Sequence, residues 1–223
     1  NGVLNYVDGT DAYIAKFSPT GMGLIGGTYI GGSGNDALNS DLLKKNYGDE
    51  FRGEIIVDAN DNCWVATTTS SIDFPVVNPL QATNGGGHDA ILFKFNSNLS
   101  GLLRSSYYGG TSADAAYSIQ LNSLNQPIIT GGTLSSNLTM ASGQNTAPFG
   151  DLDGFIIKLN AAGNTLINST YVGTPAYDQC YFVQVDLNDA IYVFGQTQGT
   201  YNITPSTVFS NPGSGQFIHK FND

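Results

Sequence analysis

Charge and reactive side chains are scarce in this chain of 223 residues, which holds 8 Lys and Arg, 2 His, 2 Cys, 2 Met and 1 Trp. The 8 cations stand against 18 Asp and Glu, a net charge of −10. Such a balance repels a phosphate backbone and anionic lipid headgroups, so nucleic acid is not an expected partner. No apolar run approaches the roughly 20 residues of a membrane-spanning helix, and residues 1–20 lack a basic-then-apolar leader, so no membrane insertion is expected. Cys63 and Cys180 make no disulfide framework and read as buried thiols. His88 and His219 stand in no His-Glu-x-x-His arrangement, and no Gly-x-Ser-x-Gly elbow occurs. The expectation is therefore no catalysis, no cofactor and no metal.

What is abundant is glycine, at 28 residues, with 12 Tyr and 12 Phe in a chain only 12% charged. That is too apolar for a disordered acidic tail and too poor in Glu, Lys and Arg for a helical protein, so the predicted class is all-β. Self-similarity decides the architecture. Asp11-Ala-Tyr-Ile-Ala-Lys-Phe17 returns as Asp89-Ala-Ile-Leu-Phe-Lys-Phe95, Asp153-Gly-Phe-Ile-Ile-Lys-Leu159 and Gln216-Phe-Ile-His-Lys-Phe221. A second block follows the first three: Thr28-Tyr-Ile-Gly-Gly32, Ser106-Tyr-Tyr-Gly-Gly110 and Thr170-Tyr-Val-Gly-Thr174. Two strand-length segments around turns at Asp58, Asn122 and Asp186 complete each unit. The period is 153 − 89 = 64, and the first copy carries an insertion over residues 37–50.

Four strand-length segments per period, apolar on both faces, suit antiparallel sheets stacked between neighbours, as in β-propeller blades. In the first block Tyr13, Ala15 and Phe17 share one face and Ile14 the other, and Ile91, Phe93 and Phe95 likewise oppose Leu92. The sequence divides into the outer strands of an incomplete blade (11–32), two blades (53–110 and 115–174) and a second incomplete blade (179–222). Residues 1–223 together read as one partial propeller of about 13 strands, fewer than half of the roughly 28 that seven four-stranded blades need. Such an arc is expected to be completed by further sequence or by other propeller segments.

Those blocks, with Ile56-Val-Asp-Ala-Asn-Asp-Asn62 and Ser71-Ile-Asp-Phe-Pro75, resemble the SBBP repeat, the seven-bladed β-propeller repeat of bacterial secreted proteins. The resemblance implies an extracellular or surface-anchored bacterial protein, often from Bacteroidetes, in which the propeller is an adhesion or interaction scaffold without catalysis. It departs from the family at the 37–50 insertion and in the later copies, which lack Asp-Phe-Pro.

Site candidates follow from register and loop length. Asp36, Asp114 and Asp178 recur after the Gly-containing turn, as turn-capping carboxylates would. Repeated carboxylates around a ring could alternatively bind calcium, yet nothing fits a twelve-residue calcium loop. Lys16, Lys94 and Lys158 end the same strand, with Lys220 in the last copy, and read as structural, their stems packed and their ammonium groups reaching water or an Asp. The turns at 18–21, 58–61 and 160–163 are short, whereas residues 70–88, 134–152 and 199–214 are long. Long loops on a rigid scaffold are where binding concentrates. Lys44, Lys45, Tyr47, Phe74, Phe149 and Tyr201 are therefore the binding candidates, for a protein or glycan at a cell surface. The apolar ones could instead tuck over the sheet ends. The insertion interrupts the repeat and is expected to be dispensable for packing. Two other readings are a structural spacer in a large adhesin and, less favoured, a glycan-active propeller enzyme.

Overall fold

The computed structural model describes residues 9–39, 42–211 and 213–221, and these form an all-β, propeller-like stack of four antiparallel sheets. Among the described residues the regular elements are strands, apart from a 3-10 turn at Tyr47–Asp49. The first sheet pairs β1 (Ala12–Phe17) with β2 (Leu24–Ile30). The second orders β3 (Glu54–Val57), β4 (Cys63–Thr69), β5 (Asp89–Phe95) and β6 (Leu102–Tyr108). The third repeats this with β7 (Asp114–Leu121), β8 (Pro127–Thr133), β9 (Asp153–Leu159) and β10 (Leu166–Val172). The fourth comprises β11 (Asp178–Val185), β12 (Ile191–Thr197) and β13 (Gln216–Phe221).

Period-2 alternation makes each strand two-faced, and both faces are used because each inner sheet lies between two others. Ala12, Ile14 and Ile30 of the first sheet pack on Ile91, Phe93, Phe95 and Tyr107 of the second. The second sheet's other face, with Ala90, Leu92 and Tyr108, meets Phe155, Ile157, Leu159 and Tyr171 of the third. Ile128, Ile156 and Val172 then meet Cys180, Val183, Val193 and Phe217 of the fourth. The first strands β3, β7 and β11 approach one another along the inner edge. They are tied there by polar bonds: Glu54 accepts from the Ile119 N–H (2.8 Å) and the Ser118 hydroxyl, whose oxygen accepts from the Val183 N–H (3.0 Å).

The hairpin turns repeat because their chemistry repeats. Asp58, Asn122 and Asp186 each accept two turn amides on Oδ1. Three residues on, Asp61, Asn125 and Asp189 have φ of 59°, 57° and 62°. Asp and Asn tolerate that left-handed conformation better than other side chains bearing a Cβ.

Candidate functional site

The repeat places a pair of carboxylates at each passage from one sheet to the next. Asp114, at the start of β7, accepts on Oδ2 from the Gly110 N–H (2.7 Å) and the Ser135 hydroxyl (2.8 Å), and on Oδ1 from the Thr133 hydroxyl. Asp36 makes the same set with Gly32 N–H (2.8 Å), Ser71 (2.9 Å) and Thr69. Asp178 accepts both the amide (2.6 Å) and the hydroxyl (2.7 Å) of Thr174, because Gly199 stands where the other copies have serine. Each carboxylate thus staples the end of one sheet to the strands of the next.

Asp89 and Asp153, which open β5 and β9, are the second member of two pairs. Asp89 Oδ2 accepts from Gly85 N–H and the Gln81 amide (both 2.9 Å), and Asp153 Oδ2 from Phe149 N–H (2.8 Å) and Gly150 N–H (3.2 Å). A Cβ on Gly173 would fall 2.4 Å from Asp153 Oδ1 and 3.1 Å from Asp178 Oδ2, and one on Gly109 would fall 2.4 Å from Asp89 Cγ. Only glycine lets the backbone approach the carboxylates this closely. Burial, with a like charge from Asp114 adding to it, pushes Asp89 up to about 7 against the donors that favour its anion. Burial likewise raises Asp114 to about 6, and burial plus the Asp178 charge raises Asp153 to about 6. Among the described residues no three His, Cys, Asp or Glu groups converge as metal ligands would.

The strand-ending lysines go to different acceptors. Lys16 Nζ donates to the Ser97 carbonyl of the second sheet (2.9 Å). Lys94 pairs with Asp58 at 2.7 Å and lies 4.6 Å from the Trp64 ring centroid. Burial would raise Asp58, but Lys94 and the turn amides outweigh it and hold the carboxyl at about 2. Lys220 is 3.8 Å from Asp186 and stands over Tyr192. Lys158, on β9 at the third-to-fourth sheet boundary, lies near Asp189, whose carboxyl it helps to lower. Both cysteines are buried free thiols, and burial pushes Cys63 up to about 11.

Two of the apolar loop candidates, Phe74 and Tyr201, follow the other reading and tuck against the sheets. Residues 70–88 and 134–152 do not stand out as free loops but run back along the outermost strands, with bridges from Val77 to Ser105, Gln81 to Tyr107 and Ser142 to Asn168. They cover sheet edges that would otherwise present unpaired backbone. Phe74 is therefore core, packed on Phe93 and Tyr107, with its N–H on the Tyr107 hydroxyl (2.9 Å). Tyr201 stacks on Phe217, centroids 4.0 Å apart, and bonds His219 Nδ1 through its hydroxyl (2.8 Å). Phe149 remains partly exposed, and Lys45 is exposed. Lys44 is exposed but paired with Glu50 at 2.7 Å. Tyr47 opens the 3-10 turn, and its side chain lies outside the described residues.

The insertion is not dispensable for packing either. Leu43, Asn39 and Asp49 are fully buried, and Leu43 joins Tyr117, Tyr181 and Leu152 in a core cluster on the inner strands. Gln179 donates to the Leu43 carbonyl (2.9 Å), Asn46 to the Tyr181 hydroxyl (3.2 Å), and that hydroxyl to Asp49 (3.3 Å). The Arg52 guanidinium lies 4.3 Å from the Tyr181 ring centroid and 5.8 Å from that of Tyr117. This Arg52, Tyr117 and Tyr181 cluster escaped the reading of the sequence. Its one signal is that the tyrosines stand one period apart, at 181 − 117 = 64.

Among the described residues, the two end faces of the stack carry exposed apolar side chains. Tyr13, Phe17 and Tyr29, the counterparts of buried Ile91, Phe95 and Tyr107, are 52%, 58% and 47% exposed. At the far end Phe182, Phe194 and Ile218 form a cross-strand row, of which Ile218 is 74% exposed. Compared with known proteins, the chain matches no family model and no curated sequence.

Proposed function

We propose that this chain is a noncatalytic interaction module of the SBBP propeller type, from a secreted or cell-surface bacterial protein, and that its partners are proteins that cover its end faces. The observation that supports this reading is the equivalence of the ends to the interior. Tyr13, Phe17 and Tyr29 repeat the half-interface that Ile91, Phe95 and Tyr107 present to the first sheet, and the Phe182, Phe194 and Ile218 row repeats the position of Ser118, Thr130 and Ile156. A contiguous exposed apolar face of this kind marks a protein interaction site. Further propeller sheets, of this protein or of another, have the matching surface. A spacer in a larger adhesin would use the same two faces in series. A glycan ligand would be left to the exposed parts of the loop surface around Lys45, Phe149 and residues 202–211.

Sedimentation velocity tests the reading. The unaltered chain should associate as its concentration rises, and Phe17→Asp combined with Ile218→Asp, both at exposed positions, should abolish the association without loss of β-sheet signal. A chain that stays monomeric at high concentration and binds no hydrophobic dye at these faces would count against it.

A further inference from the structure

Asp89 is fully buried at the start of β5, and its two oxygens stand in unequal surroundings. Oδ2 accepts from the Gly85 N–H and the Gln81 amide, whereas Oδ1 has no hydrogen-bond partner. Asp114, the neighbouring carboxyl on β7, has a donor on each oxygen and is therefore the better anion of the two. A buried carboxylate oxygen without a donor is costly, and the Asp114 charge adds to that cost, so the proton of this pair belongs on Asp89 Oδ1. The other titratable groups around the pair are Tyr107 and Tyr108 on β6, Tyr171 on β10, and the buried His88 just before Asp89. Burial pushes the three tyrosines up, so they stay uncharged through neutral pH.

The carboxyl is closed in by two glycine segments. A Cβ on Gly109 would fall 2.5 Å from Oδ1, and Oδ2 is held by the run Gly85-Gly86-Gly87, all three exposed. Gln81, bridged to Tyr107, anchors the start of this segment, and its end is tied by the Gly87 N–H on the Ser112 carbonyl (3.3 Å) and the Asp114 N–H on the His88 carbonyl (2.6 Å). Three consecutive glycines have no side chain to pin them and the widest backbone freedom. One period on, Pro148 and Phe149 stand where Asn84 and Gly85 do, so Asp153 is covered by stiffer chain. We propose that residues 84–87 are a pH-operated flap, closed over Asp89 while Oδ1 carries a proton and opened by the loss of that proton, which lets water reach the pair. Opening breaks the Gly85 and Gly87 bonds and leaves β5 and β7 in place. This goes beyond the end-face reading and does not depend on it, since the second and third sheets, between which the pair lies, are both present.

The test is amide exchange at Gly85 and Gly87, read by NMR on the unaltered chain from about pH 5 to 8.5 and corrected for the base catalysis of exchange itself. Protection should hold in acid and fall roughly tenfold for each pH unit above the Asp89 value of about 7. The Asp89 carboxyl carbon should titrate over the same range. Asp89→Asn puts an uncharged amide in the same space and should keep the flap closed at every pH, whereas His88→Gln should leave the pH step in place. Unchanged protection of Gly85 and Gly87 across the range would overturn the proposal, as would an Asp89 carboxyl that has finished titrating below pH 5. So would a step removed by His88→Gln but kept by Asp89→Asn, or a loss of protection shared equally by β5 and β8, which would mean general loosening and no flap.

Discussion

At the scale of the residue, the junction carboxylates are the features on which most depends. Asp114 is fully buried and accepts from one amide and two hydroxyls, so Asp114→Ala takes this acceptor from the Gly110 amide and the Ser135 hydroxyl and leaves the Thr133 hydroxyl with the Ser135 carbonyl at 3.4 Å. The expected cost is about 2–3 kcal/mol by denaturant melting; a loss below about 0.5 kcal/mol, the size typical of surface changes, would show that the staple is not needed. Titration gives a second expectation. Asp89, Asp114 and Asp153 have folded-state values raised to about 7, 6 and 6 from 3.8, so folding favours their protonated forms. Their contribution is fully present below pH 3.8 and is lost as pH rises through 6 to 7. Asp58, lowered to about 2, acts oppositely and contributes above 3.8, losing its effect as pH falls toward 2. Stability should therefore peak on the acid side, with a lower denaturant midpoint at pH 8 than at pH 5. A midpoint that climbs steadily from pH 5 to 8 would mean that these carboxylates are solvated as anions in the folded chain.

At the scale of the element, the 37–50 insertion belongs to the inner edge of the stack. Leu43→Ala should cost about 2–4 kcal/mol, the usual range for emptying a fully buried leucine site. Unchanged thermal melting of this variant would return the segment to the status of a loop. The strands themselves were legible from the sequence, because the 64-residue period repeats every alternation and every Asx turn, and the register of Lys16, Lys94 and Lys158 marks where β1, β5 and β9 end. The insertion was not legible: a segment that occurs once has no second copy to show which of its side chains recur at buried places. Phe74 was left open to two readings for a related reason. A loop's length says nothing about whether it stands free or lies along an outer strand, and here a tyrosine hydroxyl on β6 holds the Phe74 backbone down. Lys44 was a binding candidate in the sequence because its pairing with Glu50, across the fold of the insertion, leaves no pattern there.

At the scale of the whole molecule, the described residues form four sheets with three buried interfaces and two exposed end faces, and these faces carry the apolar residues that the interfaces bury. Such an arc has its strongest order in the middle, where the second and third sheets are packed on both faces, and its weakest at the ends, which a partner would consolidate. Hydrogen exchange followed strand by strand, at low and at high protein concentration, tests this most directly. Amides of β4, β5, β8 and β9 should be the slowest throughout, while those of β1, β2 and β13 exchange quickly in dilute solution and slow as the ends become covered. If β1 and β2 are as protected as β8 and β9 in dilute solution, the first sheet has no need of a partner, and the account of this chain as a module that docks through its ends is wrong.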